Sequence, residues 1–269
     1  MIMKHWKLYS LILACTIFAG CTKSARSISH SAYPQPGAYC HYRPEDGAAD
    51  PAFEYRGELS EFDVLGIPRG EITSETDIRR TLEAAKPVKL RPGSSILLIQ
   101  SGAMFPDGPM VAELSKHFSV VPFSGVPAVR KTSAAGAPTE SADPESYSKS
   151  LRLTAARGGT DLILCYWGML ESESERLPTK TVSWVPIVHW LVPDEKQHMR
   201  IRLKVALVDV RSGNWSIFSP KAFADARLTT SPRRGAVDQK QVERLKQLAY
   251  EAAVAELVQA LGELALMRH

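Results

Sequence analysis

The sequence predicts an α/β fold: a single mixed sheet, core order β-α-β-α-β-β-β-α, with packed helices and a protruding apolar hairpin arm. Three observations predict it. Ser95–Gln100 (SILLIQ) and Asp161–Gly168 (DLILCYWG) are short apolar runs, the pattern of strands buried on both faces. Segments with helical spacing fall between and before them. Residues 200–205 then alternate strictly between basic and apolar, the mark of a half-buried strand, and lead into a meander. Helices alternating with early strands, followed by a meander, suit one sheet with helices packed on it.

The elements follow in order. Lys4 and Lys7 precede the mostly apolar Leu8–Ile17, and Phe18-Ala19-Gly20-Cys21 closes the segment. A charged start, a short apolar run and small residues at a cleavage site make residues 1–20 a secretory signal peptide. The run falls short of the about 20 apolar residues a spanning helix needs. Residues 21–56 read as a flexible tether, extended rather than packed, with Pro34, Pro36, Gly37, Pro44, Gly47 and Pro51 among many Ser and Ala. One α/β domain occupies 57–269. Ser74-Glu75-Thr76-Asp77 has the form of a capping box, followed by Ile78, Leu82 and Ala85 at helical spacing and stopped by Pro87. After the first strand, Asp107-Gly108-Pro109 opens a helix through Phe118, with Met110, Leu114 and Phe118 inward. Ser119–Phe123 is the second strand. Residues 128–144 are small, polar and Pro-containing, and read as a disordered loop. A helix over 144–157 turns Tyr147, Leu151 and Ala155 inward and stops at Gly158-Gly159. After the central strand and the meander, Asp238-Gln239-Lys240-Gln241 caps a last helix. Its apolar face runs Val242, Leu245, Ala249, Ala252, Leu257, Leu261 and Leu264.

Charge patterning supplies a register. Glu171, Glu173 and Glu175 alternate, and so do Arg200, Arg202 and Lys204. An antiparallel pairing of Glu175 with Arg200, Glu173 with Arg202 and Glu171 with Lys204 makes a solvated ladder of ion pairs. Each such pair contributes roughly 0.2–1 kcal/mol. The other reading of the basic stripe is an anion-binding groove. The pairing leaves residues 176–199 as an arm carrying Trp184, Val185, Ile187, Val188, Trp190 and Leu191. A large exposed apolar patch marks a partner or membrane surface, so Trp184, Ile187 and Trp190 are the contact candidates; the alternative is that the arm folds back as a private core.

Composition excludes several roles. Loss of Lys4 and Lys7 with the signal takes the formal charge from +4 to +2, a nearly neutral surface with no electrostatic case for nucleic acid. No His/Cys spacing suits zinc, no H-E-x-x-H or G-x-S-x-G occurs, and no Gly-rich phosphate loop is present. No metal, cofactor or catalytic residue is therefore assigned. Cys40 and Cys165 could form a disulfide in an oxidising compartment, whereas the apolar run around Cys165 suits a buried free thiol. The loop at the carboxyl end of the first strand, with Ser101, Gly102 and Asp107, is where an α/β sheet would hold a small ligand. Ser101, Asp107 and His117 could also compose a hydrolase triad, which only geometry can define.

Two resemblances add expectations. Small residues ending on Cys21 resemble the lipobox of bacterial lipoproteins, which implies cleavage before Cys21 and acylation of its thiol and new amine, with palmitate as a label. An ordinary secretory signal with an incidental Cys21 is the other reading. Thr22, rather than Asp, after the cysteine implies an outer-membrane location facing the periplasm, by similarity to enterobacterial sorting. Gly159-Thr160-Asp161-Leu162-Ile163-Leu164 and the hairpin Val205–Gly213 resemble motifs of a group of envelope domains. That group includes the curli secretion channel subunit, the amino-terminal domain of the Tol translocation protein and lipoproteins that activate penicillin-binding proteins. The resemblance implies a lipid-anchored binding or assembly module of the cell envelope with a protein partner rather than an enzyme. The alternative is an envelope hydrolase, a peptidase by preference.

Overall fold

The computed structural model describes residues 22–30, 57–68, 74–84, 86–88, 90–91, 93–127, 144–176, 195–229 and 234–266. In chain order the elements are β1 (Thr22–Ser27), a 3₁₀ turn (Ile28–His30), α1 (Glu61–Leu65), α2 (Glu75–Ala84), β2 (Ser95–Gln100), α3 (Gly108–Ser115), β3 (Ser119–Phe123), α4 (Pro144–Arg157), β4 (Leu162–Arg176), β5 (Glu195–Asp209), β6 (Trp215–Phe218), β7 (Phe223–Thr229) and α5 (Arg234–Leu266).

The mixed α/β architecture expected from sequence is the one observed: seven strands in one open sheet, order β3-β2-β4-β5-β6, with β1 on β4 and β7 on β5. β2 lies parallel to both β3 and β4. β4 and β5 pair antiparallel over fifteen residues each, from Leu162↔Asp209 to Arg176↔Glu195. This long pair has two halves. In the first, β2 and β6 flank it; in the second, β1 and β7 take over those edges.

Side-chain alternation sends two apolar sets to opposite faces. One face carries Ile96, Leu98, Leu162, Leu164, Tyr166, Leu170, Ile201, Leu203 and Val205. It is covered by Met110 and Leu114 of α3 and by Val242, Leu245, Tyr250 and Leu257 of α5. The other face carries Leu97, Ile99, Ile163, Cys165, Trp167, Ala206 and Val208, covered by Val64 and Leu65 of α1 and Leu151 and Ala155 of α4. Cys165 is a free thiol with no exposed surface; its proposed partner Cys40 lies outside the described residues.

Several expectations are corrected. The β4–β5 register is shifted by four residues from the charge ladder: Glu171 faces Arg200, Glu173 faces His198 and Glu175 faces Lys196. The shift is even, so every side chain keeps its face. Its cause is the turn. In the expected register Leu162 would face Gly213, pulling the turn residues into the ladder; the observed one ends at Asp209, where Gly213 adopts φ +77° and returns the chain. The expected ion pairs give way to others. Arg202 pairs diagonally with Glu171, and Lys204 reaches Glu61 of α1 at 2.6 Å.

The tether does not begin at residue 22. Thr22–Ser27 is a strand against β4, from Thr22↔Ser174 to Ser27↔Met169, and Lys23 pairs with Glu173 at 3.1 Å. The stretch TKSARS has little to bury on its open side, so backbone bonds rather than apolar pattern hold it. Residues 31–56 lie outside the described set. α2 keeps its Ser74 cap, with Asp77 N–H donating to Ser74 Oγ at 3.2 Å, but it buries no residue, and Leu82 is 71% exposed. α5 starts four residues before the expected cap, so Asp238 sits buried inside the helix. α3 ends at Ser115 rather than Phe118. The loop 128–143 and the arm residues 177–194, with Trp184, Ile187 and Trp190, lie outside the described residues. Their flanks are fixed: Arg176 and Glu195 are partners at one end of the sheet.

After β1, Ile28 drops onto the sheet and is 1% exposed. It fills the space over Gly168, where an added Cβ would stand 2.3 Å from Ile28 Cδ1. Gly168→Ala should therefore destabilise the fold by about 1–3 kcal/mol through overpacking. Urea unfolding of Gly168→Ala, Ile28→Ala and the double variant should show the double less destabilised than the sum of the singles. Additive effects would mean that the turn does not dock on Gly168.

Candidate functional site

The sequence-predicted ligand loop takes part in a joint of the sheet: Ser101 is buried there, and Gly102 and Asp107 are half-buried. On one edge of β4, β2 gives way to β1 at Trp167–Gly168, and side chains bridge the break in the ladder. Ser29 Oγ donates to the Ser101 carbonyl at 2.6 Å, and Gln100 Nε2 donates to Ser29 Oγ at 3.0 Å. The Tyr166 hydroxyl donates to Gln100 Oε1 at 2.6 Å, and the Asp107 amide donates to the same oxygen at 2.7 Å. The Asp107 carboxylate then accepts from Lys246 Nζ at 2.8 Å and from the Tyr250 hydroxyl at 2.5 Å, which locks α5 to the loop. Tyr166 and Tyr250 stack edge-on with ring centroids 5.8 Å apart.

Ser101 is 1% exposed, and its hydroxyl oxygen accepts the Leu59 amide at 2.8 Å. Gly102 donates its amide to the Gly125 carbonyl at 2.9 Å. Gly125 must be glycine, since a Cβ there would lie 1.9 Å from the Gln100 carbonyl oxygen. Ser101 and Asp107 thus share one network, but on separate partners. His117 is exposed beside the Phe118 ring. Among the described residues no hydrogen bond joins Ser101, Asp107 and a histidine, so the hydrolase triad does not assemble. No group of His, Cys, Asp or Glu among them could hold a metal ion.

The open site lies elsewhere. In the second half of the β4–β5 pair, α5 covers one face, while the opposite face carries no buried apolar cluster among the described residues. That face forms a groove of about 740 Å³ across four strands. Two cross-strand rows lie on it: Lys23, Glu173, His198 and Ala226, then Ala25, Glu171, Arg200 and Ala224. Ala25, Ala224 and Ala226 stand on the two outer strands beside Lys23 of β1, and charges of both signs stand on the inner two. A second cleft of about 390 Å³ continues along the same face, where β6 gives way to β7. It is lined by Trp167, Met169, Arg202, Lys204, Glu61 and Pro220 among others. Met169 is 44% exposed there, and the Arg202–Glu171 pair stands between the two hollows. Sequence reasoning found the charges of this face and offered an anion-binding groove as one reading, but not the strands that build its sides, because β1 and β7 carry no strong strand pattern.

A family model described as YafT bacterial lipoprotein matches residues 60–260. Among solved structures, lipoprotein GNA1162 from Neisseria meningitidis matches with 16% identity, covering 57% of this chain and 98% of that one, at a TM-score of 0.24. No curated protein matches the chain.

Burial raises the pKa of Tyr166 and of Tyr250 well above the ordinary tyrosine value, and the Asp107 carboxylate adds to both. Tyr147, on α4, is pushed up to about 12 by burial, then by Cys165 and Asp63. These phenols are neutral in the fold, so their contribution is complete below the unfolded-state pKa of about 10 and is lost as pH rises above it. Phenolate absorbance on titration should show Tyr166 and Tyr250 ionising only with unfolding. Tyr250→Phe should reduce the alkaline slope of stability; an unchanged slope would contradict the assignment.

Proposed function

The chain belongs to the YafT bacterial lipoprotein family, and on that premise we propose that it is a binding module held on the periplasmic face of the outer membrane by acylated Cys21, with no catalytic role. The observation that carries the reading is the groove across β1, β4, β5 and β7. Its mixed charges and small edge residues suit an extended segment of an envelope protein, with main-chain contact over Ala25, Ala224 and Ala226 and ion pairs to Glu171, Glu173 and Arg200. The apolar residues Trp184, Ile187 and Trp190 belong to the same proposal as a second contact with partner or membrane. The likeness to the curli-secretion, Tol amino-terminal and penicillin-binding-protein-activator domains agrees with it through element order. Against the hydrolase alternative stands the enclosed Ser101.

Three experiments test this function. Cys21→Ser should abolish palmitate incorporation and release the protein from membranes; label retained on the variant would refute the anchor. A photo-crosslinking residue at Ala226 should give a discrete adduct in intact envelopes, lost on Arg200→Glu, while the same residue at Lys221 should give none. Equal adducts at Ala226 and Lys221 would remove the groove from consideration. For the second contact, Trp190→Ser should weaken association and leave the melting temperature nearly unchanged. A loss of about 3–5 kcal/mol with unchanged association would make the arm a core cover instead.

A further inference from the structure

We propose that the domain is clamped directly to the bilayer without a tether, with the β4–β5 tip facing the lipid and the Asp209–Asn214 turn pointing away. The inference rests on the acylation of Cys21 proposed above. Its structural basis is the register of β1. Thr22 pairs with Ser174, two residues from the end of β4, and β1 runs from there toward the body of the sheet. Cys21 is covalently bound to Thr22, and an extended residue rises only about 3.3 Å. Acyl chains on Cys21 would therefore start one residue's rise beyond Thr22, at the end of the sheet where Glu175 and Lys196 are cross-strand partners, Lys196 lying two strand spacings, about 10 Å, from β1.

Magnitudes separate this from a tethered arrangement. A flexible linker over residues 22–56 would have an end-to-end distance of roughly 30 Å, letting the domain tumble at that distance from the membrane. Here the slack is one residue. The first segment is held by a six-residue ladder, by Lys23–Glu173, by buried Ile28 and by the Ser29–Ser101 and Gln100–Ser29 hydrogen bonds. β4, at about 3.3 Å per residue, then extends roughly 45–50 Å away from the membrane. The groove row of Lys23, Glu173, His198 and Ala226 lies beside the headgroups. A partner docking there must bring its binding segment close to the membrane plane.

The test uses the acylated full-length protein, purified from membranes and placed in phosphatidylethanolamine/phosphatidylglycerol vesicles containing a headgroup-nitroxide lipid. In a Cys40→Ala background, with Cys165 buried, a fluorophore is attached at Lys196→Cys or at Arg211→Cys. Arg211 lies in the far turn with its side chain 88% exposed. Quenching should be several-fold stronger at position 196 than at 211. About 20 Gly/Ser residues inserted between Cys21 and Thr22 should abolish most of that difference. Equal quenching at the two positions, or no effect of the insertion, would overturn the clamped orientation. Mass analysis of the amino-terminal peptide from the same preparation separates the two failures. An unacylated Cys21 defeats the anchor reading and this inference with it, whereas an acylated Cys21 with equal quenching defeats the orientation alone.

Discussion

The backbone of β4 is paired along both of its edges, and its first half is buried on both faces. A strand in that position must have every amide and carbonyl satisfied by neighbours, because no water reaches them. β5 supplies one edge over the whole length. No single strand supplies the other: β2 serves Leu162–Tyr166 and β1 serves Met169–Ser174. The parallel β2–β3 pair needs a crossover, provided by α3, and β4 is reached through α4. Helices thus cover both faces of the first half. The second half receives α5 on one face, and the other face, which no described element covers, forms the groove.

The break between β2 and β1 explains why so many polar side chains are buried near it. An unsatisfied buried polar group costs about 1–3 kcal/mol, and the ladder is interrupted where the sheet is still covered. Gln100, Tyr166, Ser29, Ser101 and Asp107 close the gap with one connected set of hydrogen bonds. Lys246 and Tyr250 extend it to α5. The same residues at the carboxyl end of a parallel strand resemble a ligand site when read from sequence, and in the structure Ser101 and Asp107 make hydrogen bonds that hold the joint.

Elements defined by burial were legible. Ser95–Gln100 and the helix over 144–157 appear where apolar spacing and stop signals placed them. The alternation that begins at Arg200 put side chains on the correct faces, since parity survives an even shift, but charge pairing could not fix the register. Exposed opposite charges are worth too little, and diagonal pairs such as Arg202–Glu171 satisfy them equally well. β1 and β7 escaped detection for another reason. Thr22–Ser27 and Phe223–Thr229 are edge strands whose stability comes from backbone pairing to distant residues, and neither has a clean apolar face. α2 shows the reverse error: Ile78 and Leu82 have helical spacing, yet no described element covers them. The walls of the groove are the two edge strands, so the alternation of basic residues hinted at a groove without showing its shape.

The direction of β1 also decides how the domain carries force. Its Thr22 end points along β4 toward the tip of the sheet. A pull at that end runs parallel to both strands, so the rungs from Thr22–Ser174 to Ser27–Met169 are loaded together in shear. Ile28 acts as a stop, because the strand cannot slide until that side chain leaves its place over Gly168. Reversing β1 would put its amino end near Met169, and the same pull would peel the strand from β4 one rung at a time. The antiparallel pairing therefore makes the amino-terminal attachment a mechanically strong one, built from a polar strand that buries almost nothing.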